Sequence, residues 1–138
     1  MERYSIIHDS RDIIWITTYG NGLFAYDLNT GDLQHFTFEV SHSSHKNGNV
    51  FMANRMGTLY EYDAGLKNIL RKEKFTHNVY SMCEDNEGQL WLGMRGIGLR
   101  IGPDQWYRHN SKDPGSLSND NVYLIYRDRK GRMWLGTF

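Results

Sequence analysis

A single cysteine, Cys83, excludes any disulfide within the chain and leaves the redox compartment open. An excess of charge of one sign is also missing. Sixteen Lys and Arg balance sixteen Asp and Glu, so no broad basic field points to nucleic acid and no polybasic run to a membrane surface. The six histidines add positive charge only at mildly acid pH. No apolar run approaches the roughly 20 residues of a transmembrane helix, and Met1-Glu2-Arg3-Tyr4-Ser5 does not lead into a signal-peptide core. If the parent protein is exported, this chain is a mature or internal piece. No stretch is long and periodic enough for a sizeable helix. What the 138 residues do hold is 39% hydrophobic and 14% aromatic side chains, enough for an ordinary globular core.

They also hold a repeat. Val79-Tyr80, Asp85, Gly88 and Trp91-Leu92-Gly93 recur as Val122-Tyr123, Asp128, Gly131 and Trp134-Leu135-Gly136, at an offset of 43 residues. Tyr80, Asp85, Trp91, Gly98 and Leu99 fall on Tyr4, Asp9, Trp15, Gly22 and Leu23, 76 residues earlier. Half of that spacing predicts a copy in between, and "NGNVFMANRMGTLYEYD" supplies it. With an offset of 36, Phe51 lies under Trp15, and Leu59, Tyr62 and Asp63 lie under Leu23, Tyr26 and Asp27. Spacings of 36, 40 and 43 sit near the roughly 40-residue period of four-stranded propeller blades.

Local signals agree. Asp12-Ile13-Ile14-Trp15-Ile16-Thr17 and Gly22-Leu23-Phe24-Ala25-Tyr26 read as short strands between Gly, Asn and Asp clusters. Both faces of the first are apolar, which predicts a strand covered on both sides. Asp-x-x-Gly at Asp85 to Gly88 and at Asp128 to Gly131 reads as a hairpin turn, with Asp accepting backbone N–H bonds and Gly supplying the positive φ. Trp15, Trp91 and Trp134 read as packing between blades. The expected fold is all-β, a β-propeller fragment of about three and a half four-stranded blades at about 4–38, 41–75 and 79–107, with a half blade at 121–138. Closed propellers usually have four to eight blades. The chain therefore reads as an array cut inside a blade, whose open strand edges are expected to associate with another copy.

"DPGSLSNDNVYLIYRDRKGRMWLGTF", Asp113 to Phe138, closely resembles the two-component regulator propeller repeat; "SLSNDNV", Ser116 to Val122, is its most specific part. "TTYGNGLFAYDLNTGDLQHF", Thr17 to Phe36, is similar to the second half of that unit. The second blade departs from it, with Phe51 for Trp, Ala53 for Gly and a degenerate lead-in over Ser41 to His45. The resemblance implies the periplasmic sensor part of a membrane-anchored hybrid two-component histidine kinase of Bacteroides type, responding to an oligosaccharide. It implies no enzyme within this chain and no cofactor. Ligand binding would then bias one arrangement of paired sensors over another.

Kinase signatures are lacking, and His8, His35, His42, His45, His77 and His109 are scattered. His42 and His45 sit three apart in a Ser-rich segment read as a solvated loop, without the Cys or acidic support of a metal site. Two alternatives stay open. "GLFAYDLNTGDLQHF" is also similar to quinone-enzyme-type propeller repeats, many of which are protein-binding scaffolds without cofactor. The Asp85-to-Trp91 segment is similar to the Asp box of sialidase propellers, although its spacing differs by one residue. For a ligand, positional logic selects the loops joining second to third strands and those joining blades. Tyr19, Arg55, His77 and Arg95 are the expected contacts, aromatic for a sugar's apolar face and cationic or polar for its hydroxyls.

Overall fold

The computed structural model describes residues 5–18, 20–37, 42–46, 48–54 and 56–138, and every regular element among them is a β-strand. In chain order these are β1 (Ser5–His8), β2 (Ile13–Thr17), β3 (Leu23–Asp27), β4 (Leu33–Phe36), β5 (His42–Lys46), β6 (Asn49–Ala53), β7 (Thr58–Tyr62), β8 (Ile69–Lys74), β9 (Val79–Glu84), β10 (Leu90–Met94), β11 (Gly98–Ile101), β12 (Gln105–Tyr107), β13 (Val122–Arg127) and β14 (Met133–Thr137). Consecutive strands pair antiparallel into three four-stranded meanders, β1 to β4, β5 to β8 and β9 to β12, followed by the hairpin β13-β14. Residues 42–46, read from sequence as a loop, form β5. Their backbone is taken up by β6, with His42 opposite Ala53 and His45 opposite Val50, and this pairing overrides the weak strand preference of a Ser-rich segment.

Strand alternation decides what each residue covers. Along β6, Val50 and Met52 join Trp15, Leu23 and Ala25 of the first sheet, while Phe51 and Ala53 turn to Val79, Met82, Leu90, Leu92 and Met94 of the third. Leu99 and Ile101 of the third sheet meet Val122 and Ile125 of the hairpin, with Trp91, Met133 and Leu135 packed alongside. The core is therefore three apolar layers between four stacked sheets. Each fully buried large side chain in such a layer stabilises by about 1.5–3 kcal/mol relative to exposure.

The first strands β5, β9 and β13 neighbour one another, and the fourth strands β4, β8 and β12 are largely exposed. Tyr80 on β9 and Tyr123 on β13 stack with ring centroids 4.6 Å apart, so the repeated Val-Tyr pair puts Val in the core and Tyr against its own repeat. Gly93 makes the close approach possible: a Cβ there would lie 2.7 Å from the Val122 carbonyl oxygen. One cation is also built into a layer. Buried Arg100 on β11 reaches Glu73 on β8 with both terminal nitrogens, at 2.6 and 3.1 Å, and its guanidinium lies 4.7 Å from the centre of the Phe75 ring.

Candidate functional site

Two kinds of loop emerge at opposite ends of the strands. At one end are the turns between first and second strands. Asp85 Oδ1 accepts from the backbone N–H of Glu87 at 2.9 Å and of Gln89 at 2.8 Å, and Gly88 adopts φ +78°. Asp128 does the same for Lys130 and Arg132, with Gly131 at φ +78°. Asp9 serves Arg11 and Ile13, but there the fourth residue is Asp12, which takes φ +62° itself, a conformation Asp tolerates better than most residues. In each turn the second carboxylate oxygen accepts the indole N–H six residues on: Asp9 from Trp15 at 2.8 Å, Asp85 from Trp91 at 2.8 Å and Asp128 from Trp134 at 3.0 Å.

Burial pushes the Asp85 carboxyl up, but the Trp91, Gln89 and Glu87 bonds and the charge of Arg127 outweigh it and hold it below the usual carboxylate range. Asp128 is also lowered, chiefly by the Trp134 bond, with burial opposing and Arg132 and Lys130 adding to the effect. These carboxylates are committed to turn structure and are poor proton donors at neutral pH. Cys83 is equally unsuited to nucleophilic work, because burial raises its thiol despite the nearby Arg127.

The tryptophans divide. Trp15 is 1% exposed between the first two sheets, and Trp91 is half-buried beside the hairpin. Trp134 is 55% exposed: no described sheet covers its face of the hairpin, and the Arg132 guanidinium lies 5.4 Å from its ring centre. The expected packing of Trp134 between blades is not formed among the described residues.

The other end is a hydrogen-bonded ridge. Gly57 O accepts from Phe75 N at 2.8 Å, Asn78 O from Arg95 N at 3.0 Å, Asn121 Oδ1 from Gly96 N at 3.0 Å and Asp120 O from Gly98 N at 2.8 Å. The turns between second and third strands of the second and third sheets are thereby tied to linkers between sheets. The Ser-Leu-Ser lead-in earns its regularity here: Ser116 Oγ donates to the Asn110 and Asp113 carbonyls, Leu117 packs into the third apolar layer, and Ser118 and Thr137 share a 2.5 Å bond. His109 is held by its N–H to Asp120 Oδ1 and by Nδ1 donating to Leu117 O, both at 2.7 Å.

His77 and Arg95 are both exposed on this ridge. His77 Nδ1 shares a 2.8 Å bond with Thr76 Oγ1, and Arg95 is joined through its backbone to Asn78, the next residue after His77. Tyr19 and Arg55 lie outside the described residues. The sequence reading missed Asn78, Asp120 and Asn121 as the frame of the ridge; the signal was present in the repeated Asn-Val-Tyr and in Ser-Leu-Ser-x-x-Asn-Val. Such a frame can present a guanidinium and an imidazole to hydroxyl or carboxylate oxygens at little ordering cost. Among the described residues, no group of three or more His, Cys, Asp and Glu is placed to hold a metal ion, and no helix is long and apolar enough to cross a membrane.

The two-component regulator propeller family model matches residues 74–96 and 116–138. The solved extracellular domain described as that of the hybrid two component system BT4673 from B. thetaiotaomicron aligns with a TM-score of 0.80 and 26% identity, over 97% of this chain and 20% of that one. The corresponding domain of BT3049 from the same organism gives 0.71 and 21%, over 96% and 18%. The β-propeller domain of Cps50 (Swd1) from Myceliophteria thermophila gives 0.54 and 14%, over 72% and 38%. The chain thus spans about a fifth of the length of the two bacterial domains, and its stacked sheets are part of a β-propeller. A comparison with curated proteins yields no match.

Proposed function

We propose that this chain, which carries the two-component regulator propeller repeat, is part of the periplasmic sensor region of a hybrid two-component regulator and contributes an oligosaccharide-binding face around His77 and Arg95. The observation that carries this reading is the repeat at residues 74–96 and 116–138, each copy running from a linker through its Asp turn into the Trp-bearing strand. Likeness to the extracellular domain of BT4673 supports the placement outside the cytoplasm. Binding, and not catalysis, suits the chemistry: the repeated carboxylates are tied into turns at the end remote from the ridge, while the ridge offers exposed donors. In a membrane-anchored sensor kinase, a ligand acts by preferring one arrangement of paired sensors, so its affinity must differ between arrangements.

Isothermal titration of the chain with a panel of short neutral and acidic oligosaccharides tests the binding face. Saturable binding of one class is expected, weakened about tenfold in Arg95→Ala, as for loss of one charge-assisted hydrogen bond, and by less in His77→Ala, as for loss of a neutral one. The saccharide should be recovered intact. No binding across the panel, or binding indifferent to both substitutions, would sink the ridge site. Cleaved product would favour a sialidase-like enzyme, and capture of a protein with no saccharide affinity would favour a scaffold.

A further inference from the structure

We infer that the ridge selects an anionic oligosaccharide, one bearing carboxylate or sulfate groups, and that Arg95 and Arg108 together receive those groups. The inference rests on the reading of the ridge as a ligand face and names the class of ligand that face takes. Over the whole chain the charges balance, but they are not evenly placed. At the end carrying the Asp turns, Asp9, Asp27, Asp63, Asp85 and Asp128 each accept backbone N–H groups of their own turns. On the ridge loops the carboxylates among the described residues are Asp113 and Asp120, and both are engaged with backbone: Asp113 Oδ1 accepts from Gly115 N at 2.9 Å, and Asp120 Oδ1 from His109 N at 2.7 Å.

Cations are what the ridge keeps in surplus. Elsewhere Arg11, Arg71, Arg100 and Arg132 each face a carboxylate, at Asp9, Glu61, Glu73 and Asp128. Arg95 and Arg108 are exposed and have no ion-pair partner among the described residues. The two flank one turn. Arg95 opens the turn that closes at Gly98, and the chain leaves β12 beside that glycine, where a Cβ would lie 3.4 Å from Arg108 Cα. Lys112 follows on the same linker, which its own hydrogen bonds fold into a fixed loop. The third sheet is stacked on both faces, by the second sheet and by the hairpin, and this turn stands at the ends of its strands, which stacking leaves open.

Hydrogen bonding points the same way. Arg95 N, Gly96 N and Gly98 N donate to Asn78 O, Asn121 Oδ1 and Asp120 O, so the amides of the turn are spent on the linkers that hold it. Recognition is left to the side chains. A guanidinium carries five N–H donors and no acceptor. A neutral sugar hydroxyl both donates and accepts, and its O–H finds few acceptors left on this surface. A carboxylate or sulfate group only accepts, and it can take paired, charge-assisted bonds from a guanidinium fork. A ridge rich in donors, with its carboxylates turned to backbone, therefore matches the anionic ligand and not the neutral one.

Isothermal titration of the full chain tests this by comparing acidic oligosaccharides with their neutral counterparts: galacturonate trisaccharides with their methyl esters, and sulfated oligosaccharides with their desulfated forms. An acidic member of one pair is expected to bind at least about tenfold more tightly than its counterpart, a comparison that needs no variant. Its affinity should fall several-fold between about 50 and about 500 mM sodium chloride. Arg108→Gln, with an unchanged circular dichroism spectrum, should weaken the acidic member about threefold to tenfold, and Lys130→Gln at the opposite end should leave it unaltered. Equal binding of both members of a pair would overturn the inference while leaving the ridge as a ligand face. An acidic preference untouched by both Arg108→Gln and Arg95→Ala would overturn it as well, since the anion would then be held elsewhere. No binding of any member would remove this inference and the ridge site together.

Discussion

Trp91 Nε1 donates to Asp85 Oδ2 at 2.8 Å, while the other oxygen of that carboxylate takes two backbone N–H groups of its own turn. One side chain thus fixes the hairpin and pins the indole that packs beside the next sheet. The second unit shows that the two residues act together: at the positions of Asp9 and Trp15 it has His45 and Phe51, so acceptor and donor are absent as a pair. The turn glycine persists there as Gly48, at φ +84°. The glycine answers to backbone geometry alone, which every hairpin needs; the Asp is needed in this form only where there is an indole to hold.

Asp85→Ala removes the acceptor of all three donors and is expected to lower stability by about 1–2 kcal/mol in urea unfolding, allowing for the partial exposure of the group. Asp85→Asn keeps one oxygen for the backbone but can turn an NH2 toward the indole, so its loss should be smaller. Equal stability of all three proteins would contradict the coupling.

Acid should release the same bonds. Asp85 and Asp128 are held below the ordinary carboxylate value, as is Asp63 through its bonds from the Asn68 side chain and the Lys67 N–H. A lowered folded-state pKa contributes stability that is complete above the unfolded value, near about 3.9, and is lost as pH falls through the folded one. The thermal midpoint should be flat with respect to these groups from neutral pH down to about pH 5 and then drop, more shallowly in Asp85→Asn. An unchanged slope in that variant would mean Asp85 is not among the groups responsible.

Arg100 and Glu73 join the second and third sheets through a largely buried cation. Glu73→Ala leaves that cation without its partner, and a loss of about 2–3 kcal/mol is expected, below the range for fully buried pairs because Glu73 is partly exposed. Arg100→Met together with Glu73→Leu should recover part of it, measured by the same unfolding curves. A double variant worse than the sum of its single changes would contradict this account.

Gly93 and Gly96 separate two reasons for glycine. In Gly93→Ala the new Cβ meets Ser81 Oγ at 2.6 Å and the Val122 carbonyl at 2.7 Å, so the hairpin must shift off the third sheet. At Gly96, φ is +74° with open space around it, and Ala there costs only the backbone strain of about 1–2 kcal/mol. Hydrogen exchange should show Val122 to Arg127 losing protection in the first variant and keeping it in the second.

The fold was legible because its determinants are local and recur: Trp-Leu-Gly, Asp-x-x-Gly and strands apolar on both faces name a sheet sandwiched between sheets. Pairings across the repeat were not legible. Arg100 and Glu73 are 27 residues apart, and nothing in either one's surroundings names the other. The Asp–Trp bond was hidden differently, since the one was read as a turn residue and the other as a packing residue, and neither as the other's partner. Trp134 looked identical to Trp15 in sequence, yet its burial depends on what lies beyond the hairpin face. For the candidate site, positional logic reached His77 and Arg95, whereas the frame of Asn78, Asp120 and Asn121 follows from hydrogen bonds that only the folded linkers reveal.

The most direct test of the ridge as a ligand face is a backbone amide shift map of the isotopically labelled chain, titrated with the oligosaccharide class that binds in calorimetry. The account predicts saturating shifts around Thr76 to Asn78, Arg95 to Ile97 and His109 to Asn121, with the turns at Asp85 to Gly88 and Asp128 to Gly131 unmoved. Shifts centred on those Asp turns, or none along the ridge, would contradict it.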